Sequence, residues 1–177
     1  MKISKILSKY DTDKVRGHCY GGAYNKIFGG FDKNKKLNIL EIGVEKGGSL
    51  MAWAEYFPNA RIYGIDIVDV RKLEYRSNRV TFILSDMRDV KLDTTFDIII
   101  DDGSHLLSDA LVAVKKFLPM LNPGGVMVVE DVQHPKSWVW GIAKIAGISR
   151  VLTGRFFFKD MRKISGGFDD FLIIIKK

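Results

Sequence analysis

The sequence predicts an α/β fold whose central sheet is mostly parallel and ends in an antiparallel hairpin. Three observations carry that prediction. Short Ile- and Val-rich runs alternate with helical patterns through the middle of the chain. Glycines stand at the first strand–helix junction. The last two strand-like runs lie too close together for a helical crossover.

The elements follow in order. Residues 1–30 are polar and glycine-bearing, with an apolar stripe at Ile3, Ile6, Leu7 and Tyr10 that suits a short amphipathic helix. The β-rich runs are 37–44, 61–67, 80–85, 96–102 and 126–132. Each is short and apolar, as strands covered on both faces are. Leu50, Trp53, Ala54 and Phe57 follow helical spacing. A second helix is expected over 106–121, closed by Asn122-Pro123-Gly124-Gly125. Strand–helix alternation implies parallel strands joined by right-handed crossovers. Runs 156–159 and 171–175 flank Ile164-Ser165-Gly166-Gly167, which reads as a hairpin. One domain is therefore expected over 1–177, with a lid-like helical segment at 1–30 and the core at 37–177.

Composition narrows the class. The chain has 177 residues, 46% of them apolar, enough for a full core. No apolar run approaches the roughly 20 residues that span a bilayer, and the lysine-interrupted N-terminus lacks a signal-peptide pattern. The single cysteine, Cys19, allows no intrachain disulfide, so a cytoplasmic location is expected. Net charge is +7, unevenly spread. Residues 132–159 contain no acid but carry Lys136, Lys144, Arg150, Arg155 and Lys159 among Trp138, Trp140 and Phe156 to Phe158. Such a segment can meet an anionic glycan, a nucleic acid or a membrane surface. The plainer reading is a core helix and strand with a solvated basic face.

The first strand runs into Glu41-Ile42-Gly43-Val44-Glu45-Lys46-Gly47-Gly48-Ser49 and then a helix. Gly43, Gly47 and Ser49 would let backbone approach a ligand at the helix N-terminus. A carboxylate at Glu41 repels a phosphate and suits a cation, such as the amino group of S-adenosylmethionine. Asp66 ends the second strand, roughly 20 residues on, where an acid accepts hydrogen bonds from ribose hydroxyls. Asp86 and Met87 end the third, placed to bond an adenine amino group and pack on its ring. Each acid alone reads equally well as a turn or helix cap.

The fourth and fifth strands run into Asp101-Asp102-Gly103-Ser104-His105 and Glu130-Asp131-Val132-Gln133-His134. Adjacent strand ends bring these groups together at the ligand edge, with Asp101 on the cofactor side. Converging carboxylates call for a cation, and hard oxygen ligands favour Mg²⁺ or another divalent ion. The ligands would come from these strand-end acids, with Asp102 on the metal side, and His105 suits a general base toward an acceptor hydroxyl. The alternative is that Ser104 caps the next helix and His105 is an exposed first-turn residue. His18 and His134 read as peripheral.

These residues resemble a known family. Leu40-Glu41-Ile42-Gly43-Val44, Gly47-Gly48-Ser49-Leu50, Gly64-Ile65-Asp66-Ile67, Asp101-Asp102-Gly103-Ser104-His105 and Glu130-Asp131 are similar to the metal-dependent macrolide-sugar O-methyltransferases. Upstream, Thr12-Asp13-Lys14 with His18, Tyr20 and Tyr24 resembles that family's N-terminal segment. The resemblance implies a Rossmann-like seven-stranded methyltransferase sheet, S-adenosylmethionine and Mg²⁺. It also implies metal ligation by Asp102, Glu130 and Asp131, with His105 as base. The expected activity is O-methylation of a sugar or glycoconjugate hydroxyl, on an anionic acceptor if segment 132–159 meets it. The alternative within the fold is a catechol-like or other small-molecule acceptor.

An NAD-dependent sugar oxidoreductase would use a Tyr-x-x-x-Lys pair and is disfavoured by Glu41. An RNA methyltransferase is disfavoured because the basic and aromatic residues are confined to one segment and the Asp/Glu/His cluster would repel phosphates without a metal, so no obligatory nucleic acid is expected. Peripheral membrane contact through 132–159 and a homo-oligomeric assembly are both compatible with the apolar residues there.

Overall fold

The computed structural model describes residues 1–69, 77–149 and 154–177. Arg150, one of the basic residues singled out above, lies outside them. The strands are β1 (Asn38–Ile42), β2 (Arg61–Asp66), β3 (Val80–Leu84), β4 (Phe96–Asp101), β5 (Leu121–Val129), β6 (Phe156–Asp160) and β7 (Phe171–Lys176). They form one seven-stranded sheet in the order β3-β2-β1-β4-β5-β7-β6. The first five are mutually parallel. β7 runs antiparallel to both β5 and β6, so the expected C-terminal hairpin inserts its second strand next to β5. The order reverses between β1 and β4, the switch point at which ligands bind in open α/β sheets.

Both faces of the sheet are covered, which explains the continuous apolar strands. Ile39, Ile98, Ile100, Val126, Val128, Leu172 and Ile174 face one core. There they meet the N-terminal helices α1 (Ile3–Leu7) and α3 (Gly21–Phe28), together with α4 (Gly48–Tyr56). The alternate residues Leu40, Ile42, Ile99, Met127, Val129, Ile173 and Ile175 face a second core under α5 (Leu107–Phe117) and α6 (Pro135–Ile145). Two one-turn helices, α2 (Asp13–Arg16) and α7 (Arg162–Ser165), stand at loops. Residues 1–30 are thus more than a lid, since Tyr20, Tyr24 and Phe28 are core side chains.

Two boundaries move from the sequence expectation. The helix expected over 106–121 ends at Phe117 and passes through a 3₁₀ turn at Leu118–Met120. Pro119 lacks the N–H an α-helix needs, which accounts for the early stop. Asn122-Pro123-Gly124-Gly125 accordingly falls inside the span of β5. In α6, Trp138, Val139, Ile142 and Ala143 are buried, whereas Lys136, Trp140 and Lys144 are exposed. A core helix with a solvated basic face is what the described part of segment 132–159 contains.

Candidate active site

The ladder itself positions the site. Gly43 N–H donates to Ile65 C=O (2.9 Å), Asp102 N–H to Ile42 C=O (2.8 Å) and Glu130 N–H to Asp101 C=O (2.9 Å). These bonds carry β1, β4 and β5 one residue past their regular ends, so their acids share one edge. Gly43 has φ 82°, and a Cβ there would land on the carbonyl of Asp102. Glycine is required because two backbones meet at the switch point. Gly47, at φ 78°, opens α4, and Ser49 is buried in its first turn.

Asp66 ends β2 as expected and pins the glycine turn. Its Oδ2 accepts from Val44 N–H (2.7 Å) and Glu45 N–H (3.2 Å), and its Oδ1 from Val68 N–H (2.9 Å). Asp86 accepts from Arg88 N–H (2.8 Å) and faces the Arg88 guanidinium (3.2 Å). Met87 packs in the second core. Asp101 is buried in a crevice that His105, Leu106, Glu130 and Trp138 also line. Burial, and then the neighbouring Asp102 charge, push its carboxyl up to about 7.

On the acceptor side, one oxygen each of Asp102 and Asp131 and a ring nitrogen of His105 lie within 4.8 Å of one another. His105 Nδ1 is 3.0 Å from Asp131 Oδ2. The hydrogen bond to Asp131 raises the His105 pKa above the ordinary imidazole value. Asp131 is nearly inaccessible, and burial works to raise its pKa. The bonds from His105 and Tyr20 outweigh burial and hold it low.

Lys14 is the finding that the sequence reading did not foresee. Its side chain, from α2, is 1% exposed. Its Nζ lies 2.6 Å from Asp102 Oδ2, 2.8 Å from Glu130 Oε2 and 3.3 Å from Glu41 Oε1. Burial opposes its charge, yet the three carboxylates hold its pKa well above the usual lysine value. Glu41, expected on the cofactor side, is drawn into this cluster. Its side chain is 0% exposed, it accepts from Trp53 Nε1 (2.8 Å), and the cation it faces is the protein's own. Glu130 is drawn into the same cluster. Both its oxygens have protein partners, Oε1 the Tyr24 hydroxyl and Oε2 Lys14. Burial, ahead of the neighbouring acids, drives its pKa well up.

The rest of the N-terminal segment joins in. The Tyr20 hydroxyl donates to Asp131 Oδ1. His18 Nδ1 sits 3.5 Å from the same oxygen and 2.6 Å from buried Asp170, so His18 belongs to the site rather than its periphery. Lys14, His18, Tyr20 and Tyr24 stood in the resemblance without a role. Asp170, in a Gly-Phe-Asp-Asp turn, carried no signal. His134 is exposed at the start of α6. The Tyr-x-x-x-Lys spacing does occur, at Tyr10 and Lys14, but the two side chains part. Tyr10 bonds Glu55 (2.9 Å) while Lys14 turns into the carboxylates, so they form no proton-transfer pair.

Comparisons with known proteins bear on the family and the fold. A family described as a methyltransferase domain matches residues 40–132. The 8-demethyl-8-alpha-L-rhamnosyl tetracenomycin-C 2'-O-methyltransferase of Streptomyces olivaceus is 36% identical over 145 residues, covering 74% of this chain and 38% of that protein. The mycinamicin VI 2''-O-methyltransferase of Micromonospora griseorubida is 34% identical over 145 residues, covering 73% and 36%. The chain thus spans well under half the length of these relatives. Among solved structures, the MycE methyltransferase of mycinamycin biosynthesis, in complex with Mg, SAH and mycinamycin VI, superposes with TM-score 0.76. It is 24% identical, covers 100% of this chain and 54% of that one, and bears on the fold alone.

Proposed function

The chain belongs to the methyltransferase-domain family, and from that premise we propose an S-adenosylmethionine-dependent, Mg²⁺-assisted O-methyltransferase acting on a hydroxyl of a sugar or glycoconjugate. The observation that carries the proposal is the grouping of Asp102, His105 and Asp131 beside the glycine turn at the switch point. The names of the two relatives given above, a rhamnosyl tetracenomycin-C 2'-O-methyltransferase and a mycinamicin VI 2''-O-methyltransferase, support the acceptor class.

The residues fit both groups. Hard carboxylate oxygens of Asp102 and Asp131, close-set and with Glu130 beside them, suit a divalent ion. The turn at Gly43, Gly47 and Ser49, with Asp66, Asp86, Met87 and Asp101 around it, suits a nucleoside cofactor. Glu41 acts from beneath that turn. When bound, S-adenosylmethionine supplies the electrophilic methyl and the divalent ion acidifies the hydroxyl it holds.

The chain's own residues do the rest. His105, held at Nδ1 by Asp131, presents Nε2 to take the acceptor's proton. Asp131 stabilises the charge that forms on the ring. Trp138 and Leu106 wall the crevice beside His105.

The test is release of S-adenosylhomocysteine from a panel of rhamnosides, charged glycans and catechols, with and without EDTA. The proposal expects turnover of a sugar, lost with EDTA and restored by Mg²⁺. Turnover of catechols alone, or turnover indifferent to EDTA, contradicts it.

A further inference from the structure

The ammonium of Lys14 meets three carboxylates, at 2.6, 2.8 and 3.3 Å, that come from three neighbouring strand ends. Glu41 lies on β1, Asp102 follows β4 and Glu130 follows β5, and these strands are adjacent in the sheet. The ammonium hydrogen-bonds Asp102 and Glu130, whereas Glu41 Oε1, buried at 3.3 Å, takes no hydrogen bond and faces the lysine by charge alone. No other side chain among the described residues links the cofactor-side acid, Glu41, to the acceptor-side pair.

The lysine is also fixed in place. It sits between Asp13, which pairs with His18 at 3.3 Å, and a chain whose Tyr20 N–H donates to the carbonyl of Lys14 at 2.7 Å. Tyr20 and Tyr24 then grip Asp131 and Glu130 by their hydroxyls. A cation needed only to dock the N-terminal segment could pair at the surface. Burying it against three acids carries a desolvation cost that a docking role alone does not require.

We propose that Lys14 is a positioning residue for methyl transfer: its ammonium locks Glu41, Asp102 and Glu130 in fixed mutual orientation, so that the oxygens offered to a divalent ion are set before the ion arrives. Lys14 acts through those acids and touches neither acceptor nor cofactor. The inference rests on the metal-assisted reading above. Partners that orient metal ligands in this way change metal affinity by about 10- to 100-fold when lost.

The test is titration of the purified full chain with Mn²⁺, followed by electron paramagnetic resonance, alongside melting temperatures. Lys14→Arg keeps the charge but replaces the compact ammonium with a planar fork. It is expected to melt near the wild type and to bind Mn²⁺ at least about 10-fold more weakly. Lys14→Met, wherever it folds, is expected to lose at least as much. Glu41→Gln removes the charge of the third acid facing the lysine without touching the acceptor-side acids, and decides the matter if neither lysine variant folds. It is expected to weaken Mn²⁺ binding several-fold. Affinity unchanged or tighter in the folded variants overturns the inference, because lysine and metal would then act independently or compete. A wild type that binds no Mn²⁺ overturns the metal-assisted reading together with this inference, and that outcome is recognised from the wild-type trace alone.

Discussion

Asp131 and His105 both hold left-handed backbone, with φ 52° and 55°, and their side chains meet at 3.0 Å. Left-handed conformations are uncommon for residues with a side chain, and strain of this kind collects at functional sites. Glu45 in the glycine turn (φ 49°) and Cys19 between His18 and Tyr20 (φ 56°) complete the set of such residues among those described. All four lie at or beside the proposed site. Backbone strain and chemistry therefore fall on the same edge of the sheet.

That relationship makes His105 the residue whose loss should hurt turnover most cleanly. Its side chain is about one-third exposed and packs in no core. His105→Ala is expected to lower kcat by about 10²–10⁴-fold, the usual worth of a positioned general base. Its melting temperature should fall only modestly, because buried Asp131 keeps the Tyr20 hydroxyl while losing the imidazole. Steady-state kinetics beside a thermal melt check both halves.

Gly43 and Gly124 offer a matched pair. Both have left-handed φ, 82° and 80°, but only at Gly43 would a Cβ meet backbone, the carbonyl of Asp102. Gly124→Ala is expected to cost only the backbone strain, about 1–2 kcal/mol. Gly43→Ala adds an overpacking cost of about 1–3 kcal/mol, and it should also weaken cofactor binding. Urea unfolding of the two variants tests the difference.

Trp53 is fully buried, and its Nε1–H is the hydrogen-bond donor to Glu41. Trp53→Phe keeps an aromatic ring but leaves a buried carboxylate oxygen without its donor. A loss of about 1–3 kcal/mol in unfolding free energy is expected. A Trp53→Phe/Glu41→Gln double variant should recover part of it, and a double-mutant cycle measures how much.

His18 gives the chain a pH-dependent contribution to stability. Its hydrogen bond to Asp13 leads in raising its pKa to about 10 against burial, with help from Asp131 and Asp170. The folded value lies above the unfolded value near 6.5. The stabilisation is therefore complete below about pH 6.5 and is lost as pH rises through about 10. His18→Gln should remove that slope, so wild type and variant should converge in stability toward pH 10. Denaturant melts at several pH values check this.

Much of the fold was legible because its signals are local. Alternating strand and helix patterns, Gly43 to Ser49, and the short 156–175 hairpin each follow from neighbouring residues. The acids at the strand ends were legible for the same reason, since a parallel sheet gathers its C-terminal ends. Lys14 was not. It lies 88 residues from Asp102 and 116 from Glu130 in sequence, and nothing local to Thr12-Asp13-Lys14 announces a buried cation. Asp170 likewise gained its role only when the β6–β7 turn came to lie against His18. Converging carboxylates do gather a cation here, Lys14. That the chain supplies this cation itself leaves no trace in the spacing of the acids.

The most direct test of the central claim is calorimetric titration of the chain with S-adenosylhomocysteine, beside Asp66→Ala. The account predicts saturable binding to the wild type and markedly weaker binding to the variant, in which the glycine turn loses the carboxylate that pins Val44 and Glu45. No binding by the wild type, or equal binding by both, would contradict a cofactor site built on these strand ends.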